Sequence, residues 1–85
     1  MTAKERLVAN GYEDVVCFEN LSYDDALIGV TADNRAVYDY DKMVEWCVTH
    51  EEMTEAEAVD WIDYNTIRAL PYIEDAPVIV YGLKE

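Results

Sequence analysis

The spacing of apolar and polar residues changes period along this chain, and each change marks an element. Between Ala26 and Tyr40 two β-prone runs, Ala26–Thr31 and Ala36–Tyr40, flank the tetrapeptide ADNR. Asp33 and Asn34 tolerate turn and left-handed backbone, so a β-hairpin is predicted over 26–40. The first run is apolar nearly throughout, which predicts a central strand. The second alternates, with Ala36, Tyr38 and Tyr40 on one face and Val37 and Asp39 on the other. From Lys42 the period becomes helical: Met43, Val44, Cys47 and Val48 share a face, and Asp41 stands where it can cap the helix. Thr54 and Glu57 form a capping box that opens a longer helix over 55–70. Its inward stripe is Ala58, Val59, Ile62 and Thr66, closed by Ala69 or Leu70; Asn65 marks a bend and Pro71 ends it. Thr2 with Glu5 repeats the box for a first helix over 2–10, with Gly11 as its stop. Residues 14–19, DVVCFE, predict a strand or extended segment, and residues 78–83, VIVYGL, a final strand beside the hairpin.

The elements predict an α+β fold in one domain spanning 1–85: a small antiparallel sheet, built from the hairpin 26–40 and the C-terminal strand 78–83, packed by two or three helices. Helices on one side leave the other side of the sheet, with Val37 and Asp39, open.

Charge changes the picture. Nineteen acids face six basic residues, a formal net charge of −13, far beyond the roughly 2–8 units that suit a small soluble domain. Self-repulsion on this scale weakens the compact state, yet 52% of the residues are apolar and two Trp, seven Tyr and one Phe are present, which argues for folding rather than disorder. Such a chain is repelled by nucleic acid and by anionic membranes; its partners are expected to be basic protein surfaces, including those that normally hold nucleic acid. Solubility alone is the simpler account of the same acids. The start, MTAKERLVANGY, lacks the apolar core of a secretory signal, and no apolar run approaches the roughly 20 residues of a membrane span. Reduced thiols at Cys17 and Cys47 and a cytoplasmic setting are expected.

Candidate chemistry is thin. Cys47 and His50 lie three apart on one helix, but zinc needs four ligands, usually in closely spaced pairs. The stretch DNRAVYDYDKMVE lacks the central glycine of a calcium loop. Asp24 with Asp25, or Asp60 with Asp63, would need an apolar pocket to act as an acid–base pair; a solvated face explains them as well. Ser22 and His50 show no local nucleophile signature. Trp46, Trp61 and Tyr64 could stack bases, but the basic groove such binding needs is missing. Trp61, Tyr64 and Arg68 share a helical stripe that suggests packing with a cation–π contact. No catalytic residue, metal or cofactor is therefore assigned. What remains is a surface. Asp39 and Asp41, about 6.7 Å apart if extended, and Asp41 with Glu45, one helical turn apart at roughly 6 Å, can present carboxylates at a spacing comparable to successive phosphates. The same alternation is equally that of a half-buried strand.

The segments YDDALIGV, DNRAVYDYDKMVEW, EAVDWIDYNTIRALPY and APVIVYGL resemble a family of small acidic proteins found in phage, prophage and mobile-element regions of Gram-positive bacteria. The resemblance runs from about Gly11 to Leu83 and carries no catalytic residue. It implies a role against host defence, by analogy with anti-CRISPR inhibitors of similar size and charge. The expectation is a non-enzymatic nucleic-acid mimic in the host bacterial cytoplasm, bound to a CRISPR effector or another nucleic-acid-binding protein. Asp24, Asp25, Asp39, Asp41 and Glu45 would form its contact surface, with Glu51, Glu52 and Glu55 as a second patch. The alternatives are a structural or regulatory interaction module, homodimeric through the hairpin edge or an apolar helix face, and a small metal-dependent enzyme.

Overall fold

A computed structural model of the protein describes residues 1–83. Helix α1, Ala3–Ala9, begins at the expected capping box: Thr2 Oγ1 accepts from the Glu5 N–H at 3.1 Å, and Glu5 Oε1 accepts from the Thr2 N–H at 2.8 Å. Gly11, at φ 84°, takes the left-handed turn that stops it.

The segment 14–19 is not a strand. Its two buried residues, Val15 and Phe18, stand three apart, where a half-buried strand would bury every second residue. The Phe18 N–H donates instead to the Tyr38 hydroxyl at 3.2 Å.

A 3₁₀ turn, Asp24–Ala26, leads into β1, Leu27–Val30; β2 follows at Ala36–Asp39 and β3 at Val78–Val80. The hairpin forms as expected, with Asn34 left-handed at φ 63°. β3, however, pairs parallel to β2, with Val37 opposite Val78 and Asp39 opposite Val80. The sheet is mixed, in the order β1-β2-β3, so β2 rather than β1 is central. The 38 residues from 40 to 77 carry the helices between those strands and supply the crossover that a parallel neighbour requires. Ile28, on the edge strand β1, is accordingly 48% exposed.

Helix α2 is Tyr40–His50 and α3 is Glu55–Trp61, with the capping box of Thr54 and Glu57 in place. The predicted continuous helix over 55–70 instead changes its winding. A π-helical turn, Ile62–Thr66, follows α3, then a 3₁₀ stretch, Ile67–Tyr72, that contains Pro71. Asn65, where a bend is expected, lies in the π turn and donates to the Trp61 carbonyl at 3.2 Å. Val48 and Val59, expected inside, are 39% and 42% exposed; the buried positions of the two helices narrow to Met43, Val44, Cys47 and Ala58.

Aromatic rings fill the core. Tyr23 and Tyr38 have no exposure, and Phe18 packs 5.7 Å from the first ring centroid and 4.7 Å from the second. Tyr23 holds a left-handed backbone at φ 46°, a conformation costing about 1–2 kcal/mol for a bulky residue. Burial, the 2.6 Å hydrogen bond with Thr66 Oγ1 and the edge contact with Trp46 over-determine it.

Burial raises the buried Cys47 thiol from 9.0 to about 11 and, likewise as the first cause, the Tyr23 phenol from 10.0 to about 12; Tyr38 moves further in the same direction. Each group is neutral when protonated, so its contribution to stability is whole below its ordinary value and is lost as pH rises through the raised one. Melting followed by circular dichroism should therefore show a Tm that begins to fall above about pH 9 and keeps falling towards pH 12. Cys47→Ala should flatten the part between pH 9 and 10, leaving the contribution of half-buried Cys17, which burial also raises. An unchanged profile in that variant would assign the early loss to other groups.

Candidate acidic interface

Every described acid except Asp24 and Asp39 is exposed, and these two have internal work. Asp24 Oδ1 accepts from the Ala3 N–H at 2.8 Å, and its carbonyl accepts from Arg6 Nη1 at 2.9 Å, tying the start of α1 to the 3₁₀ turn. Asp39 Oδ2 accepts from the Lys42 N–H at 3.0 Å. Asp39, not Asp41, is the N-cap of α2, because the helix begins at Tyr40. The extended spacing between Asp39 and Asp41 therefore does not exist; Asp41 lies in the first helical turn, where a negative charge favours the helix dipole.

The other expected contact residues fall in two places. Asp25 and Glu45, far apart in sequence, line one shallow depression of ≈ 270 Å³ together with Lys42, Trp46 and His50. The Trp46 and His50 rings stack there at 4.9 Å and 17°. Asp41 and Glu45 stand one turn apart on exposed positions of α2. Glu51, Glu52 and Glu55 are exposed around the break between α2 and α3, which Glu52 makes at φ 56°. Glu55 belongs to the first turn of α3, where its charge also has a helical use.

Four of the six basic residues engage backbone carbonyls or a ring. Lys4 Nζ donates to the Glu13 carbonyl at 2.7 Å and Arg6 to that of Asp24; Arg35 Nε donates to the Ala76 carbonyl at 2.7 Å. Arg68 sits 4.9 Å above the Tyr64 ring, the cation–π contact that their spacing suggests.

A grouping that sequence spacing did not reveal forms where β3 meets β2. Because Asp39 is opposite Val80, the next residues, Tyr40 and Tyr81, leave the sheet side by side, with ring centroids 4.8 Å apart and planes at 35°. Burial raises the Tyr40 phenol, and the Tyr81 phenol and then the carboxylates of Asp63, Asp41 and Asp60 push it the same way. Asp60 and Asp63 thus act on the same ring as Asp41. The missing signal was the parallel register of β3.

Catalytic and metal readings find less. A concavity of ≈ 810 Å³ lies among α1, the segment 14–22, the 3₁₀ turn at Asp24 and the turns after α3. Of its polar lining, Lys4 is engaged with Glu13, Asp24 with Ala3, Asn65 with Trp61 and Thr66 with Tyr23; Asp14, Glu19, Asn20 and Ser22 line its other side. Cys47 is fully buried while His50 is exposed against Trp46, so the two turn away from a shared ligand position. Among the described residues no group of three or more His, Cys, Asp or Glu could hold a metal ion, and no helix is long and apolar enough to cross a membrane. Set against protein-family models, curated proteins and solved structures, the chain matches none.

Proposed function

We propose that this chain is a non-enzymatic inhibitor that presents its acids to a basic nucleic-acid groove on another protein. The phage-type resemblance points to a host defence protein, and to a CRISPR effector in particular. The observation that supports this is the disposition of charge. The described acids other than Asp24 and Asp39 face solvent, whereas Lys4, Arg6, Arg35 and Arg68 engage carbonyls or a ring. The surplus carboxylates are available to a cationic partner, which would release anions or nucleic acid on binding.

The test is a competition measured over a salt series. Candidate effectors, first CRISPR nucleases, are loaded with labelled nucleic acid and challenged with this protein. Displacement should weaken steeply between about 50 and 200 mM salt. Affinity that stays flat across that range, or failure to displace nucleic acid from any basic groove tried, rules the mimic out.

The homodimer alternative has one observation in its favour: β1 is an edge strand with Ile28 exposed. The register shift between Leu27 and Gly29 counts against it, because bulges on edge strands impede pairing with another chain. Solution mass decides between them: a stable dimer that hides Asp25, Asp41 and Glu45 would replace the mimic.

A further inference from the structure

The partner of an acidic surface can be held by charge alone or by a seat for one particular cation. Most of the acids here, such as Glu51 and Glu52, offer charge alone. The junction of β2 and β3 differs, because an aromatic surface stands among the carboxylates. Tyr81 is 63% exposed, and its ring lies 4.8 Å from that of Tyr40, which packs partly on the core. The inner ring fixes the outer one, so little conformational freedom is lost when a ligand arrives. Asp60 and Asp63, exposed one turn apart after the start of α3, bring negative charge to bear on the Tyr40 phenol behind it.

We propose that the exposed Tyr81 ring, backed by Tyr40, seats an arginine side chain of the basic partner. The assignment rests on the mimic reading above and gives it a specific anchor. A guanidinium is planar, so it can lie on the Tyr81 ring, and its fork of donors matches a carboxylate; a lysine ammonium is a strongly hydrated point charge and does neither as well. The chain itself shows the same chemistry on another tyrosine, where the Arg68 guanidinium lies 4.9 Å over the Tyr64 ring. The seat is made by non-local register, since Tyr40 and Tyr81 meet only because Asp39 pairs with Val80.

Fluorescein-labelled nona-arginine and nona-lysine peptides, titrated with the intact protein and read by fluorescence polarisation at low salt, test the seat. The wild type should prefer nona-arginine. Tyr81→Phe, which keeps the ring, should bind like the wild type. Tyr81→Leu, which keeps apolar bulk without the ring, should lose roughly three- to fivefold for nona-arginine and less for nona-lysine. Tyr81 is exposed, so melting should show all variants folded alike. Wild-type affinity in Tyr81→Leu, or an equal loss with both peptides, overturns the seat. So does a loss in Tyr81→Phe as large as that in Tyr81→Leu. If the seat falls while both peptides still bind with steep salt dependence, the mimic stands without it; if neither peptide binds at low salt, both fall.

Discussion

Tyr38→Ala is expected to leave the domain largely unfolded at 25 °C. Tyr38 lies on the central strand, has no exposure, and contacts Phe18 with centroids 4.7 Å apart and Tyr23 at 6.5 Å. Truncating a buried aromatic ring costs about 3–5 kcal/mol. The change also removes the hydroxyl that accepts from the buried Phe18 N–H, and an orphaned buried donor costs about 1–3 kcal/mol more. The sum is on the order of 4–8 kcal/mol, against a total stability of roughly 4–13 kcal/mol for a chain of this length at 0.05–0.15 kcal/mol per residue. A net charge of −13 places this protein towards the lower end of that range. Tyr38→Phe separates the two contributions, since it keeps the ring and loses only the hydrogen bond; it should fold with a stability lower by about 1–3 kcal/mol. Urea titration followed by tryptophan fluorescence reads both. A cooperative transition in Tyr38→Ala with a loss under about 2 kcal/mol would falsify the placement of this ring at the centre of the core.

Tyr38 was legible as a core residue because its signal is local. Alternation in AVYDY assigns Ala36, Tyr38 and Tyr40 to one face from five letters of sequence; Ala36 and Tyr38 have no exposure, whereas Tyr40 opens α2 and is only partly buried. The two capping boxes are equally local, each closed within four residues, and both form. Legibility ends where a residue's neighbour is decided elsewhere in the chain. Residues 78–80 carry the composition of a strand, but their direction follows from the path of the 38 residues before them. Two helices between β2 and β3 were in fact the better sign, since an antiparallel neighbour needs no such crossover. Asp39 and Asp41 show the same limit at one residue's scale: either carboxylate suits a cap, and the end of strand pairing at Asp39 chooses. In the candidate site, Asp41 with Glu45 follows from helical spacing, whereas Asp25 beside Glu45 and Tyr40 beside Tyr81 depend on packing of the 3₁₀ turn and on sheet register. The α+β class was therefore readable, but the composition of the surface was not.

That surface makes the second large prediction, and the fold decides which acids belong in it. Asp24 and Asp39 are set aside: their carboxylates hold the Ala3 and Lys42 N–H groups, and losing a helix cap costs about 1 kcal/mol of stability. Replacing Asp25, Asp41, Glu45, Glu51, Glu52 and Glu55 together by their amides changes six charges that are all exposed. Each exposed pair with a basic partner contributes roughly 0.5 kcal/mol, so six amount to about 3 kcal/mol, or on the order of a hundredfold in Kd. The salt slope should flatten in step, because fewer charges remain to be screened. Stability should move the other way. The variant carries −7 in place of −13 (six charges removed); the self-repulsion relieved across the whole domain is expected to outweigh the roughly 0.3–1 kcal/mol that each of Asp41 and Glu55 contributes in a first helical turn, so its Tm should equal or exceed that of the wild type. This opposite movement separates an interface from a scaffold: acids that served the fold would lower both quantities, and acids that only kept the chain in solution would change neither affinity nor salt slope. Inhibition and partner affinity unchanged in a variant that melts no lower than the wild type would leave the acidic face with no recognition role.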